Sequence, residues 1–258
     1  MTKFGIIYKM KVGISMQRYF VNQNNIRNNF VYINGDDYSH ITKVMRMKKG
    51  DRVIVCNNFQ SWLCEIDNFT NDTVVAIIIE ELHEKKELAL SITIAHGIVR
   101  REKMEEVIDK ITQLGANYYI PVAMEYCNAK FNDEKLERKL ERMNKIAKEA
   151  SEQSHRTRLL EVNKPIDFKN FITQTSQYDL CLYAYEVISK GKSLKEILKD
   201  KTYHNVLILI GPEGGISKKE VEILNQNAFI PISLGPRILR TEVAPSYILA
   251  AISYELEG

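Results

Sequence analysis

The sequence has few of the residues that build disulfide frameworks or metal sites, and it lacks long apolar runs. Its four cysteines, Cys56, Cys64, Cys127 and Cys181, form no CxxC pair, and its five histidines are scattered. This usage is typical of reduced, mostly buried thiols and predicts no metal. No run approaches the roughly 18 apolar residues of a membrane span, so no membrane segment is expected. These absences predict a cytoplasmic protein.

Charge and length are also unexceptional. The net charge is +3 over 258 residues, so the overall charge neither indicates nor excludes a nucleic-acid partner. With 45% hydrophobic residues, the chain can bury a core in one or two domains. Lys3, Lys9 and Lys11 interrupt the apolar start and argue against a signal peptide. Met16 is a candidate for the natural start, and residues 1–15 are interpreted as an extension.

The predicted pattern of secondary structure changes about one third of the way along the chain. Segments such as "DRVIVC" and "TVVAIIIEEL", separated by Asn-rich turns, predict short strands over residues 16–87 and hence a small antiparallel barrel or sandwich. The polar segment "EKKEL" at 84–88 is the expected boundary. Strands then alternate with helices over residues 88–258, which predicts an α/β domain with a mostly parallel sheet covered on both faces.

The stretch "VLILIGPEGGISKKE", residues 206–220, joins a buried strand to a helix through three glycines and a proline. Its spacing fits neither a Walker A loop nor a dinucleotide fingerprint. Ligands bind at the carboxyl ends of parallel strands, and glycines let backbone groups approach them closely. Ser217 and Glu220 have the spacing of a capping box at the start of the helix. A tight turn without a ligand is the alternative.

A second loop, "SLGPRILRTEVAPSY" at 233–247, repeats the pattern of an apolar strand followed by Gly-Pro. Two such loops after neighbouring strands are expected to form two walls of one crevice. Arg237, Arg240 and Glu242 crowd the start of an apolar helix. Arginines at a helix N-terminus oppose the macrodipole, so they are expected to hold an anion or a developing oxyanion. A simple ion pair between Arg240 and Glu242 is the alternative.

A long helix is predicted over residues 133–155, with a basic outer face that includes Arg138 and Arg142, and Arg156 and Arg158 follow it. This distribution has two interpretations. One is a solvated helix face with ion pairs between successive turns. The other is a ridge that contacts RNA phosphates.

Taken together, the two glycine loops, "LIGPEGGIS-x-x-E" and "LG-x-R-ILR-T-E", resemble the signature of the RsmE family of the SPOUT methyltransferase superfamily. "MQRYFV" and "H-x-x-K-V-M-R-x-x-x-G-D" resemble its amino-terminal PUA-like RNA-binding domain. "ITQLGA" and "EASEQSHR" resemble its internal motifs. The resemblance extends over nearly the whole chain from Met16. It implies a PUA-like domain at 16–87 and a SPOUT α/β trefoil-knot domain at 88–258.

The resemblance also implies a function. Members of the family use S-adenosylmethionine to methylate N3 of one uridine of 16S ribosomal RNA, in the decoding region of the small subunit, and they form homodimers. The cofactor lies in the knot, held largely by backbone groups of the two loops. The implied cofactor residues here are Gly211, Glu213, Gly214, Gly215, Leu234, Gly235, Ile238, Leu239 and Arg240.

The chemistry requires the N3 proton to leave or the resulting anion to be stabilised. Arg240 and Arg156 are candidate oxyanion donors, and Glu242 is a candidate base. The sequence leaves open which of them acts. Family members commonly carry threonine where this chain has Val243, so any hydroxyl role there is lost or taken by Thr241. The residues expected to contact RNA are Arg18, Lys43, Arg46, Arg138, Arg142 and Arg156.

Two other functions remain as alternatives. A ribose 2′-O-methyltransferase of the same superfamily would be expected to carry an Asn-x-Gly motif, which "QLGANYYIPV" lacks. A non-catalytic RNA-binding or assembly protein would be expected to have degenerate cofactor loops, and those here are intact. A small-molecule α/β enzyme is a more distant alternative, because the sequence shows no nucleophile–base pair.

Overall fold

The computed structural model describes residues 16–129, 136–185, 194–199 and 203–257. The extension predicted for residues 1–15 lies outside these ranges. The chain divides into two units between residues 83 and 84, at the beginning of the polar segment where the boundary is expected. Within the described ranges, no helix has the length and apolar character to cross a membrane.

The first unit is a six-stranded sheet. Its strands are β1 (Arg18–Phe20), β2 (Ile26–Arg27), β3 (Phe30–Asn34), β4 (Arg52–Cys56), β5 (Ser61–Phe69) and β6 (Thr73–Leu82), in the order β1-β4-β5-β6-β3-β2. Neighbours are antiparallel except β1 and β4, which are parallel. A short helix, α1 (Gly35–Ser39), and a wider helical turn follow β3. The prediction of a small antiparallel barrel or sandwich is confirmed in that the unit is a small β domain with mostly antiparallel pairing, and the parallel pair of β1 and β4 is the exception.

The core of this unit follows from the alternation in its strands. β4, β5 and β6 each place every second side chain inward, because the side-chain period of a strand is two. The inward side chains are mostly β-branched or aromatic, which suits a pleated, half-buried surface. Those fully or nearly fully buried include Tyr19, Val31, Ile33, Val53, Val55, Cys64, Ile66 and Val74.

The second unit is built on a parallel sheet. Its strands are β7 (Ser91–Gly97), β8 (Tyr118–Ala123), β9 (Glu161–Val162), β10 (Ile166–Asp167), β11 (Leu180–Ala184), β12 (Asn205–Ile210) and β13 (Ile230–Ile232). The order is β10-β8-β7-β12-β11-β13, with β9 also paired to β8, and every pair is parallel. The predicted parallel sheet is confirmed.

Helices alternate with these strands. They are α2 (Arg101–Gln113), α3 (Leu136–Gln153), α4 (Phe168–Thr173), α5 (Leu194–Leu198), α6 (Lys218–Gln226) and α7 (Ala244–Glu257). In α3 the apolar stripe that includes Leu140, Met143, Ala147 and Ala150 is buried, as its spacing of three and four residues predicts. The core that α2, α3 and α7 share with the sheet is separate from a second cluster around Phe171, Leu207, Leu224 and Phe229.

Candidate active site

A cavity of about 570 Å³ opens at the carboxyl ends of β11, β12 and β13. Because these strands are parallel, the segments that follow them lie at the same edge of the sheet, where α/β proteins bind ligands. The loops after β12 and β13 form its two main walls. The expectation that these strands are neighbours is wrong, since β11 lies between them. Tyr185, just after β11, therefore lines the cavity between the two loops.

Every residue that the resemblance assigns to the cofactor lines this one cavity. The set comes from two segments about twenty residues apart, which the crossover from β12 to β13 returns to the same edge of the sheet. Thr241 and the candidate base Glu242 line it as well. The members are Gly211, Glu213, Gly214, Gly215, Leu234, Gly235, Ile238, Leu239 and Arg240.

The glycines of the first loop are required by the packing of the chain on itself. A Cβ at Gly211 would lie 2.8 Å from Ile216 Cγ1, and one at Gly214 would lie 2.7 Å from the Cβ of Tyr126. Both distances are shorter than real Cβ contacts allow. Gly215 has φ +76°, which side-chain-bearing residues rarely adopt. The glycines alone are therefore consistent with a tight turn, and the cavity beside them is the evidence for a ligand.

The capping box predicted at the start of α6 is present. Ser217 Oγ accepts a hydrogen bond from Glu220 N at 3.3 Å, and Glu220 Oε2 accepts one from Ser217 N at 2.9 Å. The other oxygen of Glu220 accepts from the backbone N–H of Glu125 at 2.8 Å. Glu220 is 5% exposed. One buried carboxylate thus fixes the first wall of the cavity to α6 and to the segment after β8.

The second wall carries the more exposed side chains. Ile238 is 82% exposed, and the side chain of Arg240 is 83% exposed. Arg240 Nη1 lies 3.9 Å from Glu242 Oε1. Because the guanidinium is solvent-exposed and lies at the outer limit of an ion pair, this contact contributes little to stability. The alternative in which Arg240 serves only as an ion-pair partner is therefore weak, and its guanidinium remains accessible at the cavity rim.

Lys103, on the first turn of α2, links the two walls, although no sequence motif marks it as a site residue. Its Nζ lies 3.3 Å from Glu213 Oε1 and 3.2 Å from Glu242 Oε2. Burial opposes the charge of Lys103, but the two carboxylates outweigh it and raise the lysine pKa. Only the position of α2 after β7 could reveal this contact, because Lys103 is more than 100 residues from either glutamate in the sequence.

Glu242 is 7% exposed but remains ionised. Burial acts to raise the pKa of its carboxyl. The hydrogen bond from its own backbone N–H and the nearby Lys103 and Arg240 outweigh burial, so the pKa lies below its ordinary value. A carboxylate with a lowered pKa is fully charged at neutral pH. The arrangement therefore places one buried anion between a half-buried and an exposed cation.

Arg156 is not part of the cavity, and its predicted catalytic and RNA-binding roles are not supported by its position. It is 2% exposed. Its Nη1 donates to the carbonyl oxygens of Thr112 and Ala116 at 3.0 and 2.6 Å, and its Nη2 donates to Glu87 at 2.6 Å. Buried cations require such partners. Arg156 therefore caps the carboxyl end of α2 and joins the "ITQLGA" and "EASEQSHR" motifs.

Arg18 is likewise buried, and the prediction that it contacts RNA is corrected. It lies in β1 at 3% exposure, and its Nη1 donates to Cys56 Sγ at 3.1 Å. All three residues of β1 are buried, so both faces of this short strand are covered. The sequence does not indicate this burial, because an arginine followed by Tyr19 and Phe20 is equally consistent with an exposed side chain.

The other predicted RNA contacts lie on exposed surfaces. Lys43 and Arg46 are exposed in the segment after α1. Arg138 and Arg142 are exposed on α3, and Arg142 forms two hydrogen bonds to Glu105, at 2.5 and 2.9 Å. Across the described ranges, no cluster of three His, Cys, Asp or Glu side chains could hold a metal ion.

Comparison with protein families gives two matches. The model described as an RNA methyltransferase domain matches residues 86–253, and the model described as an RNA methyltransferase PUA domain matches residues 33–79. A ribosomal RNA small subunit methyltransferase E of Bacillus subtilis (strain 168) is 38% identical over 251 residues. The match covers 94% of this chain and 98% of that protein.

Solved structures show the same architecture. A crystal structure of a protein described only as hypothetical has a TM-score of 0.84 at 37% identity, covering 93% of this chain and 99% of its own. A Legionella pneumophila protein, described as a methyltransferase and solved with bound cofactor SAM, has a TM-score of 0.82 at 26% identity. It covers 93% of this chain and 98% of its own.

Proposed function

Because the chain belongs to the ribosomal RNA small subunit methyltransferase E family, we propose that it transfers a methyl group from S-adenosylmethionine to N3 of one uridine in 16S ribosomal RNA. One observation carries the proposal. The two loops that distinguish the family form the two walls of a single cavity at the carboxyl edge of a parallel sheet.

The cavity suits the cofactor. Its volume, about 570 Å³, lies within the range of small-molecule sites, and backbone groups of Gly211, Gly214 and Gly235 border it. Leu234 and Leu239 supply apolar surface, while Glu213 and Arg240 supply charge. Bound S-adenosylmethionine would provide an electrophilic methyl on its sulfonium. This chain provides orientation and electrostatics.

We assign the chemistry to Arg240 and Glu242. Arg240 is exposed at the rim, where its guanidinium can donate hydrogen bonds to the uracil oxygens as the N3 proton leaves. Glu242 is ionised and can accept that proton. Lys103 keeps Glu242 charged and holds it beside Glu213. Arg156 is excluded from this assignment because it is buried among carbonyl groups and Glu87.

RNA contact is assigned to exposed basic residues in each unit. Lys43 and Arg46 lie in the unit matched by the PUA model, and Arg138 and Arg142 lie on α3. Each can neutralise a phosphate, which positions the RNA without reading its sequence. The target base must be unstacked before it reaches the cavity.

We further propose that the second unit forms a trefoil knot and that the protein is a homodimer. We also propose that it acts in the cytoplasm on the small ribosomal subunit. The passage of the chain from β12 across β11 to β13 supports the knot. Exposed aromatic residues on α7, Tyr247 at 45% and Tyr254 at 80%, support a protein–protein contact there.

A deletion strain tests the proposal. Nucleoside mass spectrometry of its 16S ribosomal RNA should show the loss of one 3-methyluridine. Wild-type protein and the control Lys110→Ala, on the outer face of α2, should restore it, whereas Arg240→Ala should not. Loss of a ribose 2′-O-methyl group instead would favour the ribose methyltransferase. Unchanged RNA with retained RNA binding would favour a non-catalytic protein.

A further inference from the structure

A chain of buried hydrogen bonds runs behind the cavity wall, outside the groups assigned to the chemistry. Tyr119 Oη, on β8, lies 2.9 Å from His96 Nδ1, on β7. His96 Nε2 lies 2.7 Å from Thr241 Oγ1, just before α7. Thr241 Oγ1 donates to the carbonyl oxygen of Gly211, just after β12, at 2.6 Å. His96 and Tyr119 are fully buried, and Thr241 is 8% exposed.

The direction of this chain is fixed by its last acceptor. A carbonyl oxygen can only accept, so the single proton of the Thr241 hydroxyl points to Gly211. His96 Nε2 must then donate to Thr241. In a neutral ring Nδ1 is consequently an acceptor, and the Tyr119 hydroxyl donates to it. The order Tyr119 to His96 to Thr241 to Gly211 therefore requires a neutral imidazole.

The surroundings of His96 keep it neutral. Burial lowers its pKa to about 4, although the nearby Glu242 and a hydrogen bond to the Thr241 backbone act to raise it and Lys103 acts to lower it. The same burial raises the pKa of Tyr119, which keeps its hydroxyl protonated. At neutral pH the chain of donors and acceptors is therefore complete.

The chain of hydrogen bonds ends at residues in both walls of the cavity. Gly211 begins the first loop, and Thr241 lies between the two residues assigned to catalysis, Arg240 and Glu242. His96 connects Gly211 and Thr241 to the middle of the sheet, because its strand, β7, lies between β8 and β12.

We propose that His96 and Thr241 are positioning residues, which set the spacing of the two cavity walls and so preorganise the cofactor site. The proposal rests on the proposed function, since it takes S-adenosylmethionine as the ligand. Thr241 acts through the Gly211 peptide and through its own neighbours in the chain. His96 acts through Thr241. A buried polar network that is fully satisfied rigidifies the groups that it joins.

Two variants at one position test this. Thr241→Val keeps the shape of the side chain but removes the hydroxyl that contacts His96 Nε2 and donates to the Gly211 carbonyl, whereas Thr241→Ser keeps the hydroxyl. For folded protein, we expect Thr241→Val to raise the calorimetric Kd for S-adenosylmethionine about tenfold, equivalent to about 1.4 kcal/mol. The Kd of Thr241→Ser for S-adenosylmethionine should lie within about threefold of the wild-type Kd.

Hydrogen exchange without cofactor provides a second readout. The amides of Gly215 and Val243 are hydrogen-bonded within the two walls, to Pro212 and Arg240. Thr241→Val should speed their exchange about tenfold relative to core amides of β7, and Thr241→Ser should not.

Each result discriminates. If Thr241→Val lowers the melting temperature but leaves both the Kd and these two exchange rates at wild-type values, the network is only part of the core and the proposal is overturned. If wild-type protein does not bind S-adenosylmethionine, the proposed function fails and positioning of that cofactor fails with it. The exchange rates would then report only whether the network orders the walls.

Discussion

Gly97, the last residue of β7, is the position at which one methyl group should disturb the cavity most. A Cβ there would lie 2.5 Å from both Cδ and N of Pro212 and 3.1 Å from the carbonyl carbon of Gly211. Carbon atoms pack at about 3.5–4.0 Å, so Pro212 must move by about 1 Å. The ring cannot move without its backbone. We expect Gly97→Ala to lower the free energy of unfolding by about 1–3 kcal/mol.

The effect on function should be larger than the effect on stability. Pro212 lies within the first cavity wall, and a misplacement of about 1 Å can cost about 100-fold in rate. We therefore expect kcat/KM for methyl transfer to fall about 100-fold. The Kd for S-adenosylmethionine, measured by calorimetry below the unfolding temperature, should rise with it.

Gly50→Ala is the matched control. It lies in the first unit with φ +89°, where a Cβ meets nothing within 4 Å. A left-handed alanine costs about 1–2 kcal/mol, comparable to the expected loss at Gly97. Gly50→Ala should therefore destabilise the protein without changing cofactor affinity. The reasoning is refuted if Gly97→Ala binds the cofactor as tightly as wild type, or if Gly50→Ala weakens binding equally.

Three further outcomes are expected. Lys103→Met removes the main cation beside Glu242, so the pKa of that carboxyl should rise. The acidic limb of the pH–rate profile should then move to higher pH, and an acidic limb at the wild-type pH would contradict the role of Lys103. The pKa of His96 is lowered from 6.5 to about 4 on folding, so the unfolded state binds its proton first as pH falls. The free energy of unfolding should decrease by roughly 3 kcal/mol from pH 6.5 to pH 4, and His96→Gln, compared by denaturant titration, should lack this component of the decrease. Arg138→Gln should weaken RNA binding and reduce the slope of log K against log salt by about one, whereas an unchanged slope would remove this phosphate contact.

The local features of the fold could be predicted because their causes lie close together in the sequence. The capping box of α6 depends on two residues three positions apart, and the buried stripe of α3 depends on helical spacing. Strand–helix alternation also sufficed to predict the parallel sheet. The two walls of the cavity could be paired because both follow the same pattern of a strand and Gly-Pro.

Contacts between distant segments could not be predicted in this way. Lys103 reaches Glu242 only because the sheet order brings α2 beside the last loop. His96 is an isolated polar residue in an apolar strand, and nothing local identifies Thr241 as its partner. Arg156 was assigned to RNA because a buried arginine and an exposed one look alike in sequence. Its partners are two backbone carbonyls and the carboxylate of Glu87, all at least 40 residues away in the sequence.

The central claim is that this cavity brings S-adenosylmethionine to a uracil N3 in ribosomal RNA. The most direct measurement is transfer of an isotope-labelled methyl group by the purified protein to small ribosomal subunits that lack the modification, followed by nuclease digestion and mass spectrometry. The account predicts one labelled 3-methyluridine per subunit, abolished by Arg240→Ala. Label on a ribose oxygen or on another base, or no label despite bound cofactor, would contradict it.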